Sequence, residues 1–159
     1  MRVNVIHPKY LADQHLVAEY REIKMGPKAL SKSLNSKKGV DKNRISLEYT
    51  LNTGHTYFFY DKNGFLDRRL KLVIEEMKAR GFQTNNTNLI DPTYNYHHST
   101  FDKEWWNDWE VTDKSVEINL DRMKDRILMK SGWYKFWGIP INCFEDILNT
   151  SINERKIDG

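Results

Sequence analysis

The sequence predicts an all-α fold, a compact single domain of three main amphipathic helices with long irregular connections. Three segments repeat apolar residues at the spacing of three and four that places them on one helix face. No segment alternates polar and apolar residues as a half-buried strand does, and no repeat or low-complexity tract is visible. A chain of 159 residues corresponds to one domain and can bury a core without disulfides or metal.

The first helix is predicted to run over about residues 11–25, after an irregular arm over residues 1–10. At ~100° per residue, its apolar side consists of Ala12, Leu16, Tyr20 and Ile23. The other side gathers Gln14, His15, Ala18, Arg21, Glu22 and Met25. Gly26 and Pro27 predict a break, because proline lacks an N–H and crowds the preceding turn. Pro27 suits the first turn of a short segment over residues 28–34.

The second helix is predicted over about residues 64–80. Asp61 or Asn63 is expected to cap its start, and Gly81 is a stop signal directly after it. Its apolar positions are Leu66, Leu70, Val73, Ile74 and Met77. This spacing is typical of a helix that buries one face.

The third helix is predicted over residues 113–130, with Thr112 as its N-cap and Gly132 as its stop signal. Its apolar stripe is Val116, Leu120, Met123 and Ile127. We assign residues 1–142 to the helical domain and residues 143–159 to a C-terminal extension that begins with one short helix over 143–150. Residues 83–110 form an inserted loop region, rich in Asn, Asp and aromatic residues, whose tryptophans are expected to fold back and cover the domain.

Composition excludes several classes of protein. Charged residues make up 30% and aromatic residues 13% of the chain, which is typical of a globular protein rather than a disordered one. Cys143 is the single cysteine, so no internal disulfide forms. The single cysteine fits a reducing compartment, and there is no long apolar run or secretory signal, so we expect a cytoplasmic location in a viral or host cell interior, neither secreted nor in a membrane. We also expect a monomer. A net charge of +3 permits a polyanionic partner.

Glu22, together with a free α-amine at residue 1, offers one catalytic combination. An α-amine has a reference pKa near 8, far below that of lysine, so a useful fraction is neutral and nucleophilic at pH 7. A nearby carboxylate can stabilise positive charge on a sugar and move protons. The alternative is a solvated helix glutamate and a frayed terminus, and the sequence by itself does not bring the two groups together.

Several long motifs occur in a fixed order along the chain. They are LADQHLVAEYREIKM at 11–25, YTLNTGHTYFFYDK at 49–62, KARGF at 78–82 and WYKFWG at 133–138. This series resembles the pyrimidine-dimer DNA glycosylases of the phage endonuclease V type, which are also abasic-site lyases. The resemblance covers about residues 1–82 and 108–139, and several ordered motifs are more specific than one short match.

The resemblance implies a set of catalytic residues. Glu22 corresponds to the catalytic glutamate, Arg2 to the basic residue after the terminal amine, and Arg21 and His15 to residues that line the same groove. Family members use the amine of a threonine that is exposed when the initiator methionine is removed. Here residue 2 is Arg, whose bulk opposes that removal, and Met1 itself falls at the nucleophile position. We therefore expect Met1 to be retained and its amine to react.

The resemblance also implies double-stranded DNA containing damaged bases as the partner. The residues expected to contact DNA are Arg2, Gln14, His15, Arg21, Lys24, Lys32, Arg122, Arg126, Trp133 and Tyr134. Basic residues would neutralise phosphates, and Trp133 and Tyr134 would pack near the lesion. Met25 and Asn85 occupy two positions that are basic in the family.

No cofactor and no metal are expected. His97 and His98 lie near acidic residues, but their spacing matches no common zinc pattern and no cysteine joins them. His55, which follows Gly54, is predicted to be a structural hydrogen-bonding residue. The predicted function is a DNA repair glycosylase with abasic-site lyase activity on cyclobutane pyrimidine dimers, acting through an imine. Two alternatives stay open: the same chemistry on another lesion or an abasic site, and a non-catalytic DNA-binding helical module.

Overall fold

The computed structural model describes residues 1–150, which are mostly helical. The α-helices are α1 (Asp13–Glu22), α2 (Met25–Asn35), α3 (His55–Phe58), α4 (Asn63–Ala79) and α5 (Asp113–Met129). Strand β1 (Lys135–Phe136) pairs antiparallel with β2 (Ile139–Pro140), and residues 144–150 are again helical. The rest of the predicted C-terminal extension, residues 151–159, lies outside the described residues. None of the described helices is long and apolar enough to cross a membrane.

The two long helices confirm the predictions from periodicity. Helix α5 begins with a capping box in which Thr112 accepts a hydrogen bond from the Ser115 amide and the Ser115 side chain accepts one from the Thr112 amide. Helix α4 ends at a left-handed Gly81, as predicted. Its predicted cap was wrong, because Lys62 occupies the N-cap position without a side-chain cap. The Asn63 amide instead donates to the carbonyl oxygens of Tyr60 and Trp105.

The first helix is shorter than predicted, and the second begins at once. Helix α1 ends at Glu22 and α2 starts at Met25, so Gly26 and Pro27 lie inside the first turn of α2. Proline is tolerated there because the first-turn amides of a helix have no intrahelical acceptor. With α2 as long as α1, the described domain has four helices of at least ten residues rather than three.

The short hairpin was not predicted, although it brings a functional segment onto α1. Trp137 and Gly138 form the two-residue turn, with φ values of 52° and 78°. Two positive φ values are what a type I′ turn needs to follow the twist of its strands. The Asp13 carboxylate accepts hydrogen bonds from the Trp137 and Gly138 amides at 3.2 and 2.8 Å, which fixes the turn on the start of α1.

The amino-terminal arm is buried although it joins no sheet. Val3, Val5 and Ile6 are each at most 7% exposed. The amides of Val3, Asn4 and Val5 donate to side chains at 3.0, 3.2 and 2.8 Å. The acceptors stand on three helices and are His55 of α3, Glu19 of α1 and Asn119 of α5. Buried backbone polar groups need such partners, so these side chains determine where the arm lies.

Arg69 of α4 completes this arrangement from beneath the arm. Its Nε lies 2.7 Å from Glu19 Oε2 and its Nη2 lies 3.0 Å from Glu19 Oε1, a two-point ion pair between side chains that are nearly inaccessible. Its Nη1 donates to the Ile6 carbonyl oxygen. The arm is thereby held by charged as well as neutral hydrogen bonds.

The inserted region 83–110 packs against α2. Its tryptophans cover the domain, as predicted. Trp105 is 3% exposed, and Trp109 stacks on Tyr49 with ring centroids 6.2 Å apart. The His97 amide donates to Ser31 Oγ of α2 at 2.7 Å, and Lys28 pairs with Asp91 at 3.0 Å. The region therefore covers the flank of α2.

Candidate active site

A pocket with a volume of about 140 Å³ opens where the arm, α1 and α5 meet. It brings together seven residues singled out in the sequence, namely Met1, Arg2, His15, Glu22, Arg122, Arg126 and Tyr134. They come from residues 1–22 and 122–134, which are far apart in sequence and are brought together by the fold. The pocket has the mixed lining expected of a site that binds a polar ligand.

Residue 1 and Glu22 share this pocket. The Met1 side chain packs against the main core. Met1 and Glu22 of α1 both line the pocket. The Glu22 carboxylate lies 4.0 Å from Arg2 Nε, and both side chains are more than one third exposed. A pair this long and this exposed is weak, so the carboxylate is available to a ligand.

His15 is a neutral imidazole in the pocket wall. It is 4% exposed, and its ring packs on Tyr134 with centroids 4.5 Å apart. Burial, reinforced by the charges of Arg2 and Arg126, lowers its pKa from 6.5 to about 4. Its Nδ1 is enclosed and has no hydrogen-bond partner among the described residues. At neutral pH the ring therefore adds no charge to the pocket.

This depressed pKa predicts acid-sensitive stability. The unfolded chain takes up a proton on His15 below about pH 6.5, whereas the folded protein does so only near pH 4. The contribution of His15 to the free energy of unfolding is therefore fully present above pH 6.5, and roughly 3 kcal/mol of it is lost as the pH drops to 4. Measured by urea unfolding, the free energy of unfolding should fall less between pH 7 and pH 4 in His15→Phe than in the parent protein. Equal pH dependence in both proteins would contradict a buried neutral His15.

Three guanidinium groups surround the pocket. Arg122 donates from Nη1 to Asn52 Oδ1 at 2.9 Å, and burial together with the charges of Arg126 and Arg2 lowers the pKa of Arg122. Within residues 1–150, neither Arg122 nor Arg126 has a carboxylate within 4.0 Å. Three like charges of which only Arg2 has a carboxylate nearby among the described residues favour an anionic ligand, and a phosphate group is such a ligand.

His55 and Tyr49 hold the arm at the pocket floor. His55 donates from Nδ1 to the Thr50 carbonyl oxygen at 2.7 Å, which leaves Nε2 to accept the Val3 amide at 3.0 Å. Burial lowers the pKa of His55, and this favours the neutral form that the acceptor role requires. The Tyr49 hydroxyl donates to the Val3 carbonyl oxygen at 2.9 Å. The prediction that His55 is structural is confirmed.

Comparison with known families adds an independent finding. The model of a family described as pyrimidine dimer DNA glycosylase matches residues 1–89, more than half of the chain. The chain belongs to the pyrimidine dimer DNA glycosylase family. The match includes the arm and helices α1 to α4, which confirms the resemblance drawn from the motifs. Helix α5 and the hairpin lie outside the matched residues.

One predicted placement in this glycosylase was wrong. Arg21 and His15 do not share a groove, since Arg21 lines a second groove of about 650 Å³ on the other flank of α1. Gln14 borders that groove too, accepts a hydrogen bond from the Lys135 amide at 2.9 Å and donates to the Trp133 carbonyl oxygen at 2.7 Å. Gln14 thus fixes the chain at the start of the hairpin.

Other predicted DNA-contacting residues of the glycosylase lie outside the pocket. Lys24 donates to the Asn86 carbonyl oxygen at 2.6 Å and lies over the Tyr20 ring, so the inserted region engages it. Lys32 is exposed on α2. Trp133 is 52% exposed and meets the edge of Tyr134 with centroids 4.8 Å apart. It therefore extends the pocket rim outward rather than closing it.

The pocket also contains residues that sequence reasoning did not select as site residues. They are Val3, Asn4, Tyr49, Leu51, Asn52, Asn119 and Met123, along with the structural His55. Asn119 stands in the apolar stripe of α5 between Val116 and Met123, a polar residue where the pattern calls for an apolar one. Across residues 1–150, no group of three or more His, Cys, Asp or Glu side chains is placed to hold a metal ion.

Proposed function

We propose that this glycosylase acts on cyclobutane pyrimidine dimers in duplex DNA and also cleaves the resulting abasic site. The Met1 α-amine is the nucleophile and Glu22 is the acid–base residue. The observation that carries the proposal is the convergence of residue 1 and Glu22 in one pocket. The buried hydrogen bonds of the arm support it, because they fix Val3, Asn4 and Val5 and so bring the start of the chain to the pocket that Glu22 lines.

The chemistry follows from an amine beside a carboxylate. The neutral amine attacks C1′ of the damaged nucleotide, forming a C–N bond as the glycosidic bond breaks and the base leaves with a proton. The sugar ring opens at the C1′–O4′ bond, O4′ takes up a proton, and a protonated imine remains. Glu22 then accepts a proton from C2′, and the 3′ phosphate leaves by β-elimination. Water hydrolyses the imine and restores the amine.

The charges around the pocket fit a DNA strand. Arg2, Arg122 and Arg126 offer positive charge to phosphates that flank the lesion. Tyr134 offers an aromatic face at the pocket wall, and the exposed Trp133 beside it offers a second. A cyclobutane dimer already weakens stacking and pairing, so opening the duplex there costs less than opening normal sequence.

Borohydride trapping tests the nucleophile directly. Reduction converts the imine into a stable amine, so a duplex with a single cyclobutane dimer should become covalently attached to the protein. We expect peptide mass mapping to place the DNA on the α-amine of Met1, and intact mass to show that Met1 is retained. Protein acetylated only at this amine should lose trapping and strand cleavage while it still binds DNA.

The same assay separates the alternatives. Attachment to a lysine, or trapping by the acetylated protein, would contradict the amine mechanism. Absence of trapping on every duplex would indicate a non-catalytic module. Parallel duplexes that carry an oxidised purine or a bare abasic site test the lesion, because only a dimer glycosylase releases the base from the dimer duplex.

A further inference from the structure

We propose that the Met1 side chain is a positioning group, and that Gly26 and Leu66 form the slot that receives it. This inference rests on the proposed function, since it concerns how the reacting amine is aimed. It assigns a role to the thioether itself rather than to the amine. The Met1 side chain would then be part of the active-site structure.

The slot lies between the start of α2 and the buried face of α4. A Cβ added to Gly26 would lie 2.8 Å from Leu66 Cδ1 and 3.1 Å from Met1 Sδ. Contacts this short are tighter than side chains normally allow, so the hydrogen of Gly26 is what lets the thioether lie there. Gly26 and Leu66 are both buried, and Met1 packs against the same core.

Backbone hydrogen bonds alone do not fix residue 1. Among residues 1–150, the first amide of the arm with an acceptor is that of Val3. Met1 lies two residues before it, where an end without further attachment frays. Packing of the Met1 side chain in the slot is the contact that removes this freedom, and the amine is attached to the same Cα. Side-chain packing therefore determines the direction of the amine.

Gly26→Ala is expected to displace the Met1 side chain and also to crowd Leu66. Leu66 is fully buried and has little room to move, whereas Met1 is half-buried at the pocket edge and can shift. Gly26 lies inside helix α2, where alanine has the higher helix propensity, so the helix itself gains. The gain in helix propensity offsets only part of the 2.8 Å approach to Leu66 Cδ1, so the variant should lose trapping and also melt at a lower temperature than the parent.

A series at residue 1 tests the thioether. Each protein is released from a fusion partner by a protease that cuts directly before residue 1, which leaves the amine in register. We expect Met1→Ala to lower the single-turnover rate of borohydride trapping by on the order of 10–100-fold, with DNA affinity unchanged. Met1→Leu restores an apolar side chain, so its trapping rate should be about tenfold or more above that of Met1→Ala. For Gly26→Ala the control is Asn35→Ala, which also introduces alanine into α2 but at an exposed position at the far end of the helix.

A double-mutant cycle shows whether Gly26 acts through Met1. If the slot is correct, Gly26→Ala slows trapping in the parent but has no further effect in Met1→Ala. Equal slowing in both backgrounds, or parental trapping by Met1→Ala, would overturn the inference. Failure of the proposed function is distinguishable, because then either the unmodified parent would trap no DNA or the acetylated parent would still trap it.

Discussion

Glu22→Gln is expected to abolish strand cleavage while leaving the protein folded and bound to DNA. The amide cannot accept the C2′ proton or balance positive charge on the sugar, and acid–base groups of this kind contribute about 10²–10⁴-fold to rate. The carboxylate is about one third exposed, and among residues 1–150 Arg2 at 4.0 Å is its closest charged partner, so its loss disturbs little packing. Single-turnover cleavage of a dimer-containing duplex measures the effect.

DNA affinity provides the second readout for this variant. The pocket holds three guanidinium groups, so removal of its negative charge should leave affinity unchanged or make it tighter. Glu75→Gln, an exposed substitution on α4, serves as the matched control with parental cleavage. If Glu22→Gln instead weakened binding as much as it slowed cleavage, Glu22 would be structural rather than catalytic.

The helices of this protein were predictable where their signals are local. The stripes of α4 and α5 repeat every three or four residues, and Gly81 and Thr112 mark the end of one and the start of the other. Gly132 was wrong as a stop signal, because α5 ends at Met129 and the Gly132 amide donates to the Ile141 carbonyl oxygen. The hairpin lacked such a signal. Its turn needs a positive φ at Trp137, a residue that does not favour that conformation, and Asp13 holds the turn from a distance of more than 120 residues in sequence.

The site was predictable in part for a geometric reason. His15 and Glu22 are seven residues apart and face the same pocket, whereas Gln14 and Arg21, also seven apart, face the second groove. Neighbouring helix positions differ by ~100°, so one polar side of α1 borders two separate surfaces. Sequence alone grouped these residues together because nothing local shows that the segment around Tyr134 lies between the two.

The buried polar residues left a trace in the sequence that was not interpreted. Glu19, Arg69 and Asn119 each stand at an apolar position of a helical stripe and are at most 4% exposed. A charged or amide side chain there needs a partner, and opposite charges on two stripes suggest which one. Their pairing spans 50 residues for Glu19 and Arg69, so periodicity within one helix could not identify it.

Arg69→Met should therefore destabilise the fold more than any surface substitution. It leaves the fully buried Glu19 without its ion pair and removes the donor to the Ile6 carbonyl oxygen. Breaking one partner of a buried pair costs about 3–5 kcal/mol, which in a chain of this size lowers the melting temperature by roughly 6–20 °C. Thermal and urea unfolding measure this loss.

Arg68→Met is the matched control for this prediction, one residue away on the same helix. Its ion pair with Asp108 at 3.0 Å is more than half exposed, and a pair of that kind contributes less than ~1 kcal/mol. Because the arm depends on Glu19 and Arg69, trapping at 25 °C should also slow in Arg69→Met, though not in Arg68→Met. Equal stability of the two variants would mean that the buried pair does not hold the arm, and the amine would then need another anchor.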